Sequence, residues 1–179
     1  MGSIMPNHTY NHVVIETNTG CSKEQLALAE LKTKLSIHKG EFDFEGITPM
    51  PKDLAKSFDV HDPFDHGDEW ENDMGHLVPS DELTRKRWIK EYGFDNWYDW
   101  RLANWDTKWN AYNVDIDIDE EDQLHVSFFT AWSCPTGIYI RMKIYCNEHN
   151  LSLDWGVSFE DDDEYFDLKE QDLFDGRWQ

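Results

Sequence analysis

Planar rings and cations lie together in the segment from residue 97 to residue 109, a combination that suits a flat, negatively charged ligand. The residues that could form such a pocket are Trp97, Trp100, Trp105, Lys108 and Trp109. Indole rings stack on nucleobases, and an ammonium group pairs with phosphate. Tryptophans at these spacings are also typical of a hydrophobic core, in which each indole N–H needs an acceptor. Packing is the favoured interpretation, and a pocket is the alternative.

Histidine and carboxylate residues are concentrated in the loop from residue 61 to residue 76. These are ligand types that zinc, iron and manganese take in proteins. Their spacing matches no metal-binding motif, so we expect no metal and no other cofactor, and His61 and His66 would be the ligands to test. Ser133 lies outside a Gly-x-Ser-x-Gly context, and no spacing of His and Asp indicates a triad. We therefore identify no catalytic residue.

Carboxylates dominate the C-terminal part of the chain. Residues 111–179 hold 17 acidic and 4 basic residues, a net charge of −13, against −8 for residues 1–110. Asp115, Asp117 and Asp119 alternate with apolar residues, so in a strand they would lie on one face about 6.5 to 7 Å apart. That spacing is comparable with the spacing of successive phosphates on one DNA strand. The acidic surface that we expect to bind a partner comprises Asp115, Asp117, Asp119, Glu120, Glu121, Asp122, Asp161, Asp162 and Asp163.

The whole chain of 179 residues carries 37 acidic and 16 basic residues, a net charge of −21. Such a protein repels nucleic acid and anionic membranes, because phosphate contacts need Lys and Arg. We therefore expect a basic host protein or a nucleic-acid-binding complex as the partner, with solubility alone as the other explanation of the charge. Three cysteines without a CxxC pair favour a reducing compartment, and no segment has the length and apolarity of a membrane span. The sequence thus predicts a soluble, cytoplasmic protein.

Hydrophobic periodicity predicts the elements that position these residues. Residues 11–18 and 151–159 have the pattern of strands, and residues 114–119 and 124–131 that of a hairpin with one acidic face. Helices are predicted over residues 22–38, 82–92, 96–104 and 136–149, and Asp95 is the expected cap of the third. Short strands are expected at residues 42–44 and 165–168.

This order predicts an α+β protein with an antiparallel or mixed sheet that is covered on one face. The split βαβ, or ferredoxin-like, topology is the simplest arrangement that accommodates it. We expect residues 5–179 to form one such domain, with a helical, tryptophan-rich insertion at about residues 52–109. Residues 1–4 precede a second methionine and are expected to be a cloning remnant.

Two motifs resemble those of the YubB-like ferredoxin-like domain family, which consists of phage and conjugative-plasmid proteins of unknown function. The first is NW-x-TKWNA at residues 104–111, and the second is TAWS at residues 130–133. Residues 5–11 and the ITPMP run at residues 47–51 match the pattern as well. The chain departs from the pattern at Asp106, where the family usually has glycine, and at Cys134, where it often has proline. The resemblance implies a ferredoxin-like fold and a mobile-element origin, and it supplies no catalytic residues.

The resemblance and the charge together favour a non-enzymatic inhibitor that a phage or plasmid carries. Its acidic, DNA-mimic-like surface would occupy the basic groove of a host defence or nucleic-acid-handling complex, such as a restriction or CRISPR complex. The alternative is a small-ligand or nucleotide-binding protein, with or without enzyme activity, that uses the tryptophan segment and the 61–76 loop. A virion assembly protein is the third hypothesis, and the sequence leaves the oligomeric state open.

Overall fold

The structure is a computed structural model that describes residues 8–35, 42–57, 81–119, 123–159 and 165–167. The chain separates into two compact units, one of Met1–Thr48 with Trp105–Gln179 and one of Pro49–Asn104. The elements in chain order are β1 (His8–Thr17), α1 (Ser22–Leu35), α2 (Glu82–Tyr92), α3 (Trp97–Trp105), β2 (Tyr112–Ile118), β3 (Leu124–Ala131), α4 (Thr136–Glu148), β4 (Leu151–Phe159) and β5 (Tyr165–Asp167).

All five strands belong to one sheet of the first unit, in the order β2-β3-β1-β4-β5, and every pairing is antiparallel. The predicted α+β class is therefore confirmed, and of the two predicted kinds of sheet, antiparallel or mixed, the structure has the antiparallel one. The strand β1, the hairpin of β2 and β3, the strand β4 and the helix after Pro135 also agree with the sequence prediction. The predicted hairpin turn at residues 120–122 and the predicted helix end at residues 36–38 lie outside the described residues.

Alternation of buried and partly exposed residues gives the sheet one buried face. On β1, Asn11, Val13 and Ile15 have no exposed surface, while their neighbours are partly exposed. Helices α1 and α4 pack on this buried face, because one side of each helix is apolar. The helix residues that enter the core are Ala27, Leu28, Leu31, Leu35, Ile138, Tyr139, Met142 and Cys146.

The segment at residues 42–44 is not the short strand that its alternation predicted. Phe42, Asp43 and Phe44 are all buried, and a 3-10 turn begins at Phe44. Oδ1 of Asp43 accepts from the backbone N–H of Glu45 at 2.9 Å, and the side chain of Asn110 accepts from the N–H of Phe44 at 3.0 Å. Side chains thus take the hydrogen bonds that a neighbouring strand would have taken, so no ladder forms here.

In the first turn of helix α1, the carboxylate of Glu24 forms hydrogen bonds to residues just before the helix and to Asn150 just before β4. Glu24 is 3% exposed and accepts from the N–H groups of Thr19 and Gly20 at 2.8 and 3.0 Å, and from the side chain of Asn150. The hydrogen bond from Asn150, followed by those from Thr19, lowers the pKa of Glu24 from its usual 4.5 to about 2. The charged form of Glu24 is therefore favoured by folding.

We expect Glu24→Gln to be less stable than the native chain at pH 7, and the difference to disappear as the pH falls. A carboxyl whose folded pKa is depressed stabilises the protein above its unfolded pKa and loses that contribution between about pH 4.5 and pH 2. Urea unfolding at a series of pH values measures the difference. Glu30→Gln, at an exposed position of the same helix, is the control, and a gap that persists at pH 2 would contradict the prediction.

The second unit contains α2 and all of α3 except its last residue, Trp105. Asp81 caps α2 by accepting from the N–H of Thr84 at 2.8 Å, and Gly93 ends it in the left-handed region with φ 81°. Glycine enters this region without a steric penalty, which is why the helix stops there. For α3 the capping side chain is Asn96 and not the expected Asp95, because Asn96 accepts from the N–H of Asp99 at 2.8 Å. Asp95 instead accepts from Arg85, with Nε to Oδ2 at 2.8 Å.

Candidate functional site

The sheet face opposite α1 and α4, here named the outer face, is a polar and aromatic surface that the strand register builds. On β1 it consists of His8, Tyr10, His12, Val14 and Glu16, which alternate with buried residues. Each of these side chains is partly exposed in the described part of the chain. Because both neighbours of β1 are antiparallel, the register fixes which residues of β3 and β4 lie beside each of them.

One half of this face, the acidic half, is formed by the carboxylates of Glu16, Asp115, Asp117 and Asp154. Asp115 pairs with Ser127, and Asp117 pairs with His125, which place both carboxylates on the outer face. Asp117 is 80% exposed and has one cation nearby, the Nζ of Lys32 on α1 at 4.0 Å. No Lys or Arg occurs in any of the five described strands. The acidic half is therefore negative at neutral pH.

Asp119, the third member of the predicted row, closes the hairpin. Its Oδ1 accepts from the N–H of Gln123 at 2.9 Å, and its Oδ2 lies 3.0 Å from Nε2 of His125. Asp117 also bonds locally, since it accepts from the N–H of Ile118 at 2.8 Å on an edge strand. Such contacts protect an edge strand from pairing with another chain. The structure therefore places Asp115 and Asp117 on one face and gives Asp119 a second, structural use.

The remaining residues of the predicted acidic surface lie outside the described residues. They are Glu120, Glu121, Asp122, Asp161, Asp162 and Asp163. The same holds for His61 and His66, the candidates for a metal. Among the residues that the structure does describe, no group of three His, Cys, Asp or Glu side chains could hold a metal ion.

The other half of the outer face, the aromatic half, consists of His8, Tyr10, Tyr112 and Phe129. Phe129 lies at its centre, with ring centroids 5.4 Å from Tyr10, 6.0 Å from His8 and 6.1 Å from Tyr112. The rings of Phe129 and Tyr112 are nearly parallel, with an interplanar angle of 22°. The hydroxyl of Tyr112 donates to the carbonyl of Thr130 at 3.3 Å. Four partly exposed rings thus form one cluster beside the acidic half.

Sequence reasoning missed this cluster. The signal was present, because His8, Tyr10 and His12 alternate along one strand and His125, Ser127 and Phe129 alternate along another. Only the pairing of Tyr10 with Phe129 shows that the two alternating sets lie on the same face. Rings more than 100 positions apart in the chain meet through that register.

His12 lies between the two halves, with its ring centroid 6.0 Å from that of His125. Burial, and then the neighbouring His125, lower the pKa of His12 below its usual 6.5. The imidazole of His12 is therefore neutral at pH 7 and adds no positive charge to the outer face.

The two sequence motifs, NW-x-TKWNA and TAWS, meet in a corner formed by residues 105–110 and 130–136. The hydroxyl of Ser133 donates to the carbonyl of Asp106, and the hydroxyl of Thr136 donates to the carboxylate of Asp106. Thr107 donates to the carbonyl of Ala131 at 3.3 Å. Backbone strain accompanies these contacts. The φ angles of Asp106 and Trp132 are 66° and 70°, in a region that residues other than glycine rarely adopt.

Lys108 occupies the inside of this corner. Its side chain is 5% exposed, and its Nζ lies 4.6 Å from the ring centroid of Trp109 and 4.8 Å from that of Trp132. Cation–π contacts of this kind contribute about 0.5 to 2 kcal/mol each, depending on how far the cation is desolvated. Lys108 and Trp109, both predicted pocket residues, are thus in contact, and the ring of Trp132 joins them.

The other tryptophans of the predicted pocket are buried. Trp105 has no exposed surface, and its Nε1 donates to the carbonyl of Thr48 at 2.9 Å. Trp97 and Trp100 belong to the second unit and are 8% and 7% exposed. Arg101 lies with its Cζ 5.1 Å from the ring centroid of Trp97. These positions are those of packing residues.

Asn11 is the centre of a buried polar network under the corner. Its side-chain N–H groups donate to the carbonyl of Thr9 at 3.1 Å and to Oγ1 of Thr130 at 3.0 Å. Its Oδ1 accepts from Nε1 of Trp155 at 3.1 Å and lies 3.8 Å from Sγ of Cys134. Burial raises the pKa of the Cys134 thiol above its usual value, so the sulfur stays protonated and inert. This network holds three strands and the corner in register.

The fold and the site define an α+β protein whose antiparallel sheet has one face under helices and one face with an acidic and an aromatic half. No helix in the described parts of the chain has the length and apolarity to cross a membrane. The chain matches no family model, no curated protein and no solved structure.

Proposed function

We propose that the chain is a non-enzymatic binding protein that captures a basic protein surface on the outer face of its sheet. One observation carries the proposal: the described outer face has the carboxylates of Glu16, Asp115, Asp117 and Asp154, and its strands contain no Lys or Arg. A face of one sign attracts partners of the other sign and repels phosphate. The partner is therefore a protein and not a nucleic acid.

The same proposal includes a ferredoxin-like fold and kinship with YubB-like proteins of phages and conjugative plasmids. When α2 and α3 between α1 and β2, and β5 at the end, are left out, the remaining order β1, α1, β2, β3, α4, β4 supports the fold, because it is the β-α-β-β-α-β order of that class. The backbone of Asp106 supports the kinship. Its φ of 66° lies where glycine is favoured, and glycine is the residue that the resembled family usually has there.

The biological role that we propose is inhibition of a host defence or nucleic-acid-handling complex in the host cytoplasm. Asp115 and Asp117 would stand in for successive DNA phosphates in a basic groove of that complex. The cysteines Cys21, Cys134 and Cys146 are all free, which fits a reducing compartment.

Recovery of partners from a bacterial lysate, with purification of the most abundant one, tests this proposal. We expect Asp115→Asn/Asp117→Asn to bind the purified partner about tenfold more weakly than the native chain, because two exposed ion pairs contribute up to about 1 kcal/mol each. The affinity of the native chain for the partner should fall as the salt concentration is raised. Double-stranded DNA should compete with the chain for the basic groove of the partner.

The matched control is Glu30→Gln/Glu148→Gln, which removes two exposed carboxylates from α1 and α4 and changes the net charge equally. Retained affinity in this control, with loss in the β2 variant, would support the outer face as the binding surface. Equal loss in both variants would mean that overall charge alone drives binding. That result would contradict the proposal.

A further inference from the structure

We infer that the partner contacts the outer face through arginine side chains and not through lysine side chains. This inference rests on the proposed function and names the chemistry of its partner. It depends on the position of the aromatic half, since the acidic half alone would accept either cation.

The register brings a carboxylate and a ring within the span of one side chain. Asp115 pairs with Ser127, and Phe129 is the next outer-face residue along β3. The two positions are therefore about 7 Å apart along the sheet and about 5 Å apart across it. Tyr10 pairs with Phe129 on the central strand and extends the ring surface. A cationic group that pairs with Asp115 thus lies beside the rings of Phe129 and Tyr10.

Arginine uses both features of this surface, whereas lysine uses mainly one. A guanidinium group is planar, stacks on an aromatic ring and still directs N–H groups at a carboxylate in its own plane. An ammonium group is a compact, strongly hydrated charge that gains less from the ring. No Lys or Arg occurs in the described strands, and Lys32 of α1 approaches Asp117 at 4.0 Å. The acidic half supplies the charge complementarity, and the aromatic half supplies the discrimination.

Two labelled peptides of equal length and charge, (Gly-Arg-Ser)4 and (Gly-Lys-Ser)4, test the inference by fluorescence anisotropy with the full chain. We expect the arginine peptide to bind about tenfold more tightly, the effect of two stacked guanidinium groups. Phe129→Leu and Tyr10→Leu, made singly, should each reduce that preference, because leucine keeps the apolar volume and removes the ring. Tyr92→Leu, a partly exposed tyrosine of the second unit, should leave the preference unchanged.

Each other outcome overturns a defined part of the argument. Equal affinity for the two peptides, with loss in Asp115→Asn/Asp117→Asn, would overturn the arginine inference and leave the proposed function standing. An arginine preference that survives both leucine variants would also overturn the inference, because the rings would then have no part in it. Binding of neither peptide would contradict the proposed function as well. Tighter binding of a ten-residue single-stranded RNA than of either peptide would replace the basic partner with nucleic acid.

Discussion

Replacement of Trp105 by alanine is expected to lower the free energy of unfolding by about 3 to 5 kcal/mol. The indole has no exposed surface, its ring centroid lies 5.6 Å from that of Phe44, and its Nε1 donates to the carbonyl of Thr48 at 2.9 Å. The substitution therefore opens a cavity and removes the hydrogen bond to the carbonyl of Thr48. Because domains of this size are stable by only about 5 to 15 kcal/mol, unfolding in guanidinium should show a large fall in the midpoint.

Trp132→Ala is the matched control for this prediction. Trp132 is 48% exposed, and its ring contacts the ammonium of Lys108. We expect its loss to cost no more than about 2 kcal/mol, the value of a cation–π contact whose cation is desolvated, because Lys108 is 5% exposed. Equal losses of unfolding free energy in the two variants would contradict the prediction that the buried Trp105 stabilises the fold more than the exposed Trp132.

The second large effect is expected for Asn11→Leu, with a loss of about 3 kcal/mol. The substitution keeps the number and branching of heavy atoms in the fully buried side chain and removes its amide. The indole N–H of Trp155 then loses its acceptor in a buried site, while the hydroxyl of Thr130 keeps its hydrogen bond to the carbonyl of Ser133. A buried polar group that is left without a partner costs about 1 to 3 kcal/mol, and the loss of the Asn11 hydrogen bonds to Thr130 and to the carbonyl of Thr9 adds to this cost. Urea unfolding measures it.

A double-mutant cycle with Thr130→Val separates this explanation from a packing defect. The double variant Asn11→Leu/Thr130→Val removes both ends of one hydrogen bond. We therefore expect its loss of unfolding free energy to be at least about 0.5 kcal/mol smaller than the sum of the losses in the two single variants. Interaction energies between contacting residues are about 0.5 to 3 kcal/mol. Strict additivity would mean that the amide of Asn11 does not stabilise the fold through Thr130. Asn18→Leu, at an exposed position just beyond β1, should change stability by less than about 0.5 kcal/mol.

The regular elements could be predicted from the sequence because local signals determine them. The β-branched run at residues 13–15 predicted β1, alternation predicted β2 to β4, and Asp81 with Gly93 predicted both ends of α2. The segment at residues 42–44 could not be predicted in this way. Its alternation is real, but Asn110, distant in sequence, takes up the backbone hydrogen bond there. A side-chain contact between distant residues leaves no local pattern.

The candidate site shows the same limit. The exposure of Asp115 and Asp117 followed from period-two alternation, whereas the role of Asp119 in closing the hairpin depends on its contact with His125. The aromatic half depends on the pairing of Tyr10 with Phe129, a register that neither strand contains by itself. The sequence thus identifies the charged and aromatic residues and their alternation along each strand, whereas the pairing between strands determines which of them share a face.

The most direct test of the proposed binding surface is a map of backbone amide shifts in the ¹⁵N-labelled chain as the arginine peptide is added. We predict that the largest shifts fall on β2, β3 and β1, at Asp115, Asp117, Phe129 and Tyr10, and that added salt reverses them. Shifts confined to α1 and α4, or spread evenly over the chain, would contradict the assignment of the outer face as the site that binds a basic partner.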